Sequence, residues 1–298
     1  MRVLVTGSAG QVGGALLPLV ENQAVVLAPS RQDFDLSRPA DLPDRLSALK
    51  PDLIINPAAY TVVDRAEDES ELAFRINAEA PGAIAEWAAR HRVPFLHFST
   101  DYVFDGSGAA PWREDGPTGP LSVYGASKLA GEEAVKSAGG PHLIVRTSWV
   151  YAAKGANFLR TIARLAAERE ELRIVDDQIG APTSAHAIAH AVCTILPPGF
   201  EDVGAALEKR GGIVNIVCAG ETSWYGFAVA IVAGLRSRGA NLRVERILPI
   251  GSAEFPAKAK RPFNSRLDLT RLRHAFGVSM PSWQQALDRE LDLIRELA

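Results

Sequence analysis

The start of the chain joins an apolar strand to a helix through a turn rich in glycine. Residues 2–6 form a β-branched run that is typical of a strand buried on both faces of a parallel sheet. Gly7, Gly10 and Gly13 follow at once, and residues 15–20 continue as a helix. Glycines in this place permit a tight turn and let a pyrophosphate approach the backbone N–H groups at the helix N-terminus. The pattern therefore predicts a dinucleotide-binding turn, in a variant of the Rossmann fingerprint.

Strands and helices alternate after this turn. Apolar runs predict further strands at residues 24–28, 52–56, 95–99 and 142–146. Helical spacing predicts helices at residues 64–74, 78–90, 157–169, 185–196 and 224–237, with a polar connection at 197–212. The alternation predicts an α/β fold with a Rossmann-type, doubly wound parallel sheet.

The rhythm changes after about residue 150. We therefore predict a dinucleotide-binding domain over residues 1–150, completed by a strand near 213–217. Residues 151–298 are predicted to form mainly a smaller C-terminal α/β domain that binds the substrate.

Composition limits the partners that we expect. The 298 residues carry a formal net charge of −3 and show no Lys/Arg stripe, so we expect no nucleic acid. Cys193 and Cys218 lie in apolar surroundings, as reduced thiols do. No apolar run reaches the roughly 18 residues that span a bilayer, and a strand beginning at Arg2 leaves no room for a signal peptide. These features predict a cytoplasmic protein without a membrane partner.

Tyr124 and Lys128 lie four residues apart in a predicted helix and therefore share one face. A neighbouring ammonium lowers the pKa of a phenol, and such a pair suits proton transfer to or from a carbonyl or alcohol oxygen. The same spacing is common on solvated helix faces, so the pair alone leaves that interpretation open. Ser99 or Thr100, at the end of the fourth strand, can bond the same oxygen.

The end of the second strand is where such folds bind the adenosine ribose. Arg31 stands there, with no acidic residue before Asp33, which favours the 2′-phosphate of NADPH; a solvated surface arginine is the alternative. Asp35 and Leu36 end the segment and can flank the adenine. After the third strand, the small residues before and around Ala58 let a flat cofactor lie against the backbone.

Two further patterns have a functional and a structural interpretation. Arg261 and Arg266 flank small polar residues, which fits a phosphate or diphosphate site or else a pair of surface arginines. His186 and His190 have the spacing of zinc ligands, but the adjacent glutamate of a zinc protease is missing. We therefore expect these histidines to be packed or half-exposed.

Together the motifs make the chain similar to the extended short-chain dehydrogenase/reductase family, and more narrowly to the dTDP-4-dehydrorhamnose reductase family. The similarity spans nearly the whole chain. It rests on Gly10–Gly13, Asn56–Glu67, Ser99–Gly106, Tyr124–Glu132, Arg146–Tyr151, Asp177–Thr183 and Arg261–Leu267.

The resemblance implies NADPH-dependent reduction, with NADH as an alternative, of the 4-keto group of dTDP-4-dehydro-L-rhamnose. The product, dTDP-L-rhamnose, is a precursor of cell-surface polysaccharide. The residues expected to be catalytic are Thr100, Tyr124 and Lys128. Those expected to bind cofactor are Gly7, Gly10, Gln11, Val12, Gly13, Arg31, Asp35, Leu36, Ala58, Ala59, Tyr60, Tyr124 and Lys128. Those expected to bind the dTDP-sugar are Thr100, Asp101, Tyr102, Trp149, Arg261 and Arg266.

The chain departs from the family at one point, and two other functions stay open. Some members dimerise through a metal held partly by an acidic residue early on the first helix. Gly14 and Ala15 occupy that stretch, so we expect no metal, and a homodimer would need another basis. The alternatives are another nucleotide-sugar reductase or epimerase, and a non-catalytic regulatory subunit similar to the β subunit of methionine adenosyltransferase.

Overall fold

The structure is a computed structural model and describes residues 1–294. Its strands are β1 (Arg2–Val5), β2 (Val25–Leu27), β3 (Leu53–Asn56), β4 (Phe95–Thr100), β5 (His142–Thr147), β6 (Val150–Tyr151), β7 (Glu171–Val175), β8 (Ile179–Gly180), β9 (Thr183–Ser184), β10 (Gly212–Asn215), β11 (Thr222–Ser223) and β12 (Arg246–Ile250). Its α-helices are α1 (Gln11–Glu21), α2 (Leu42–Leu49), α3 (Val63–Ala66), α4 (Ser70–Phe74), α5 (Ala80–His91), α6 (Val123–Ser137), α7 (Phe158–Glu168), α8 (Ala185–Ile195), α9 (Val203–Arg210), α10 (Trp224–Ser237), α11 (Thr270–Phe276) and α12 (Trp283–Asp292).

A parallel sheet of six strands organises the fold, in the order β2-β1-β3-β4-β5-β10. Every neighbouring pair in it runs parallel. The chain order reverses between β1 and β3, and ligands of open α/β sheets bind at such a point, beyond the carboxyl ends of the strands. The predicted doubly wound parallel sheet is confirmed.

Alternate strand residues pack against helices on the two faces of this sheet. Val3 and Val5 lie in a cluster with residues of α1 and α8, whereas Leu4 lies in a cluster with residues of α2 and α5. Since successive side chains of a strand point to opposite faces, burial on both sides requires the uninterrupted apolar run that the sequence has here.

A third cluster lies outside the sheet and joins α7, α10 and α12, with Leu159, Phe227 and Leu287 among its members. The chain beyond residue 150 also contributes to the main sheet, because α8 packs against α1 and β10 pairs with β5. The predicted division at residue 150 stays a prediction. No helix within residues 1–294 combines the length and the apolar character that crossing a membrane requires.

The helical boundaries differ from prediction at three places. The helix predicted at 64–74 is divided into α3 and α4, and the next one is preceded by a π-helical turn, Arg75–Glu79. The predicted connection at 197–212 contains α9. This short helix forms in a polar sequence because Val203 and Leu207, one turn apart, are buried in the cluster of α1 and α8.

Candidate active site

The turn after β1 is so tightly packed that two of its positions require glycine. Gly7 has a φ of +55°, and a Cβ atom at Gly13 would lie 2.2 Å from the carbonyl oxygen of Gly7. Helix α1 begins with Gly10 as its N-cap, without a side-chain cap or an acidic residue in its first turn. Among the described residues, no side chain caps its first N–H groups, and anion binding at this helix start stays a prediction. The Oε1 atom of Gln11 is buried and has no hydrogen-bond partner within the described residues.

The loop after β2 brings only part of the predicted adenosine site together. Arg31 is exposed, and its positive charge helps to lower the pKa of Asp35. Burial raises the pKa of Asp35, but hydrogen bonds from Ser37 outweigh it and leave the pKa lowered. Leu36 is only 7 % exposed and belongs to the core cluster of α2 and α5, so little of it can face an adenine.

The segment after β3 lies directly against the glycine turn. A Cβ atom at Gly7 would lie 3.0 Å from the Cα atom of Ala58, so the two backbones approach closely. Tyr60 is held by its backbone N–H, which donates to Oδ1 of Asn77 at 2.8 Å. Its hydroxyl donates to Oε2 of Glu69 at 2.6 Å. Ala58 thus borders the turn, and Ala59 and Tyr60 follow it in the chain, with the Tyr60 phenol bonded to Glu69.

Thr100 and Asp101 are buried where β4 ends. The Thr100 hydroxyl donates to Oδ1 of Asp101 at 3.0 Å, and burial raises the pKa of Asp101 to about 6. The Oδ2 atom of Asp101 and the Oγ atom of Ser99 are buried without a hydrogen-bond partner in the part of the chain that is described. Thr100, rather than Ser99, hydrogen-bonds to the Tyr124 side chain.

Helix α6 brings Tyr124 beside this strand end. Its N-terminus is capped by Ser122 Oγ, which accepts from the N–H of Gly125 at 3.2 Å. A Cβ atom at Gly125 would lie 2.2 Å from the carbonyl oxygen of Tyr102, so only glycine allows α6 to approach so closely. The rings of Tyr102 and Tyr124 consequently meet edge to face, with their centroids 5.4 Å apart.

Tyr124 and Lys128 have shifted pKa values for the same reason, which is burial. Burial raises the pKa of Tyr124, and the hydrogen bond with Thr100 offsets part of that effect. Burial lowers the pKa of Lys128 to about 8. The Lys128 ammonium donates to the carbonyl oxygen of Phe98 at 2.6 Å. The lowering of the Tyr124 pKa that the helix spacing predicts is therefore not the dominant effect in this structure.

The residues that are predicted to bind the substrate come from distant parts of the chain. Trp149 has a φ of +48°, and its ring stacks on Trp224 with centroids 3.7 Å apart. Arg261 donates to Oδ2 of Asp64 at 3.0 Å and hydrogen-bonds to the Tyr102 side chain. Arg266 donates from Nε to Oε2 of Glu221 at 2.6 Å.

The segment that carries these arginines is bonded both to the loop after β4 and to β8. The N–H of Asn264 donates to the carbonyl oxygen of Gly106, beyond β4, and the N–H of Ser265 donates to that of Ile179 in β8. Arg261 therefore lies beside Tyr102, whose ring contacts Tyr124. Arg266 lies farther along the same segment and is bonded to Glu221.

Several residues that the sequence analysis did not single out also contribute. Glu67 accepts from the N–H of Val123 at 2.9 Å and so helps to fix the start of α6. His97 lies 3.4 Å from the Lys128 nitrogen. The sequence offers one indication of His97, because it is the one histidine in the buried strand β4.

His186 and His190, which have the spacing of zinc ligands, have different surroundings. His186 lies with Nδ1 2.7 Å from Oε1 of Glu290, and its side chain is about half exposed, while His190 is exposed. Within residues 1–294, no group of three or more His, Cys, Asp or Glu side chains is arranged to hold a metal ion. Independence from metals stays a prediction.

A dinucleotide turn and a Thr/Tyr/Lys cluster on one edge of a parallel sheet define a reductase-type site of a Rossmann-fold protein. The model of the RmlD substrate binding domain family matches residues 1–296. A dTDP-4-dehydrorhamnose reductase of Burkholderia thailandensis is 45% identical over 289 residues, which cover 96% of this chain and 97% of that protein. The chain therefore belongs to the RmlD substrate binding domain family.

Two solved structures are also similar. A dTDP-4-dehydrorhamnose reductase from Clostridium acetobutylicum has a TM-score of 0.89 and 34% identity, covering 99% of this chain and 100% of the other. A dTDP-4-dehydrorhamnose reductase from Bacillus anthracis, solved in complex with NADP, has a TM-score of 0.88 and 33% identity, covering 98% and 99%.

Proposed function

We propose that this chain catalyses the NADPH-dependent reduction of the 4-keto group of dTDP-4-dehydro-L-rhamnose to give dTDP-L-rhamnose. The observation that carries this proposal is the group of Thr100, Tyr124 and Lys128 at the same edge of the sheet as the Gly7 turn, in which Thr100 and Lys128 are buried and Tyr124 is half-buried. The relatives support the substrate and the cofactor, since they are named for this reduction and one was solved with NADP. The nicotinamide supplies a hydride when it is bound.

Tyr124 is the proposed general acid. It donates its phenolic proton to the substrate oxygen as the C4 carbonyl becomes an alcohol. Burial raises its pKa, so the phenol carries its proton near neutral pH, and the same shift opposes the release of that proton. The proposed acid therefore depends on stabilisation of the phenolate in the loaded site. Thr100, which hydrogen-bonds to Tyr124, orients the same oxygen.

Lys128 is the proposed partner of the cofactor ribose. Its nitrogen is held by the carbonyl oxygen of Phe98 and is almost completely buried, so its direction is fixed before a ligand enters. A charged Lys128 near Tyr124 also stabilises negative charge that develops on the phenol oxygen.

The remaining polar residues are proposed to bind the dTDP-sugar. Asp101 has a buried oxygen without a hydrogen-bond partner among the described residues, and this oxygen is proposed to bind a sugar hydroxyl. The rings of Tyr102, against Tyr124, and Trp149, against Trp224, are proposed to face the sugar. Arg261 and Arg266 are proposed to bind the diphosphate. Each now pairs with a carboxylate, so the diphosphate would compete with Asp64 and Glu221 for these guanidinium groups.

Arg266→Ala is expected to raise the KM for the dTDP-sugar by about 10- to 100-fold, the usual contribution of a hydrogen bond to a charged group. The affinity for NADPH should stay unchanged, since Arg266 contacts Glu221 and Asn264 rather than the glycine turn. Steady-state kinetics give the first value and fluorescence titration the second. Arg243→Ala, which removes another arginine paired with a glutamate, serves as the control. Equal KM values for both variants would remove Arg266 from the substrate site.

Arg31→Ala is expected to raise the KM for NADPH by up to about tenfold while leaving that for NADH nearly unchanged, because only NADPH carries the 2′-phosphate. Arg38→Ala is the matched control, as Arg38 is an exposed arginine of the same loop paired with Asp41. If Arg31→Ala changes both KM values to the same extent, Arg31 does not bind the 2′-phosphate.

The proposed function is tested with dTDP-4-dehydro-L-rhamnose generated in situ, by following NADPH and NADH oxidation and identifying the sugar product. Formation of dTDP-L-rhamnose with oxidation of NADPH is the expected result. Turnover of the sugar without added reductant would instead indicate an epimerase with tightly held NAD. Cofactor binding without turnover of any nucleotide sugar would indicate the regulatory subunit.

We also propose that the protein acts in the cytoplasm, which its free cysteines, Cys193 and the buried Cys218, support. A homodimer without a bridging metal is proposed as its oligomeric state, and sedimentation in the presence and absence of a chelator tests it.

A further inference from the structure

His97 is a buried titratable side chain that the proposed reaction does not use. It lies in β4, is 0% exposed, and stands between Asn56 of β3 and Lys128 of α6. Its ring nitrogens are 3.1 Å from Asn56 Nδ2 and 3.4 Å from Lys128 Nζ. A buried imidazole with a partner on each nitrogen has one defined arrangement of its proton, and the neighbouring residues determine which one.

Thr6 fixes the orientation of the Asn56 amide. The Thr6 hydroxyl oxygen accepts from the N–H of Ala58 at 3.4 Å, so its own proton is available for a second partner. That partner is the Oδ1 atom of Asn56 at 2.5 Å. The amide oxygen therefore faces Thr6, and the amide nitrogen faces His97.

The amide nitrogen in turn fixes the His97 tautomer. Because an amide nitrogen only donates, Nδ1 of His97 must accept from it. Burial lowers the pKa of His97 well below its usual value, so the ring is neutral and carries a single proton. That proton is then on Nε2, the atom that faces Lys128.

We propose that His97 is a positioning residue that donates its Nε2–H to the amine form of Lys128 and thereby favours release of the lysine proton. A hydrogen bond to the neutral form of a group disfavours its charged form. Lys128 would then change between ammonium and amine within the working pH range. The consequence for turnover rests on the proposed function, whereas the hydrogen bond does not.

Other charged groups near Lys128 act in the opposite direction or are already paired. The charge of Glu132, one turn farther along α6, raises the pKa of Lys128. Both oxygens of Glu132 accept from Arg146 of β5, at 2.8 and 2.6 Å. Tyr124 on α6 and Asp101 after β4 are the other titratable groups of the site. Among the described strand residues, Asn56, Phe95 and Phe98 contact His97 or Lys128, and none of the three carries a charge.

The test is an NMR pH titration of Lys128 in cofactor-free protein labelled with ¹³C- and ¹⁵N-lysine, with Lys128→Met to assign the signal. His97→Phe is expected to raise the titration midpoint by roughly one pH unit, because the donor is lost. His97→Gln, which keeps an N–H donor, should raise it less. Asn56→Leu should also raise it while leaving the imidazole in place, because Nδ1 can then carry the proton and Nε2 can accept from the ammonium.

The outcomes separate the inference from its alternatives. A midpoint that falls in His97→Phe would mean that the imidazole accepts from the ammonium, and an unchanged midpoint in both His97→Phe and Asn56→Leu would mean that it only fills space. Either result overturns the proposal. In the reductase assay, the alkaline limb of the kcat profile should move to higher pH in His97→Phe. A wild-type protein that does not turn over the dTDP-sugar would reject the proposed function and still leave the NMR titration decisive for His97.

Discussion

Tyr124→Phe is expected to lower kcat by about 10²- to 10⁴-fold, the usual contribution of a general acid. The phenylalanine ring keeps the edge-to-face packing on Tyr102 and removes only the hydroxyl, which is the proposed proton donor bonded to Thr100. NADPH affinity should stay within a few-fold of the wild type, because the glycine turn and Lys128 are untouched. Single-turnover kinetics measure the chemical step, and fluorescence titration measures the affinity.

Tyr225→Phe is the matched control for this prediction. Tyr225 is a half-buried tyrosine of α10 that belongs to none of the clusters proposed to bind or react. Its variant should keep the wild-type kcat. If Tyr124→Phe kept it as well, another group would have to supply the proton, and Asp101 would be the first to test because burial raises its pKa to about 6.

Arg146→Met is expected to lower the free energy of unfolding by about 3–5 kcal/mol, the usual cost of removing one partner of a buried ion pair. Arg146 and Glu132 have side chains that are 2% and 0% exposed, and Arg146 also lies over the Phe104 ring. Without the guanidinium group, the Glu132 carboxylate would remain buried with no cation bonded to it. Urea unfolding followed by circular dichroism measures the loss.

Two further variants show whether burial causes this effect. The double variant Glu132→Leu/Arg146→Met should be more stable than Arg146→Met alone, because it leaves no charge behind. Arg164→Met breaks the exposed pair with Glu168 and should cost at most about 1 kcal/mol. A similar loss in Arg164→Met and Arg146→Met would contradict the argument from burial.

The sequence predicts the features that depend on residues close together in the chain. The strand, glycine turn and helix at residues 2–20 follow from apolar runs and from residues that permit the turn. The place of Thr100 in the site follows from the rule that ligands of a parallel sheet bind beyond the carboxyl ends of its strands, because Thr100 ends β4. Both inferences need only neighbouring residues and the rule for where such sheets bind ligands.

The pairings in the site could not be predicted, because they join residues far apart in the chain. Arg261 and Asp64 are 197 positions apart, and Arg266 and Glu221 are 45 positions apart. The helix spacing of Tyr124 and Lys128 predicts that they lie close together, but it carries no information about burial, which acts on the Tyr124 pKa in the opposite direction. Burial dominates the pKa of both groups.

Helix α8 packs against α1, and β10 pairs with β5, although both elements come from the second half of the chain. The first 150 residues therefore lack two elements that complete the main sheet and its cover. A fragment of residues 1–150 would retain the glycine turn and Tyr124, but it would expose one side of β5 and the apolar face of α1. Such a fragment should aggregate when it is expressed alone. A monodisperse fragment that binds cofactor would contradict this expectation and show that residues 1–150 fold on their own. A chimera that joins the sheet of this protein to the C-terminal part of a relative would therefore have to keep α8 and β10 from the same protein as the sheet.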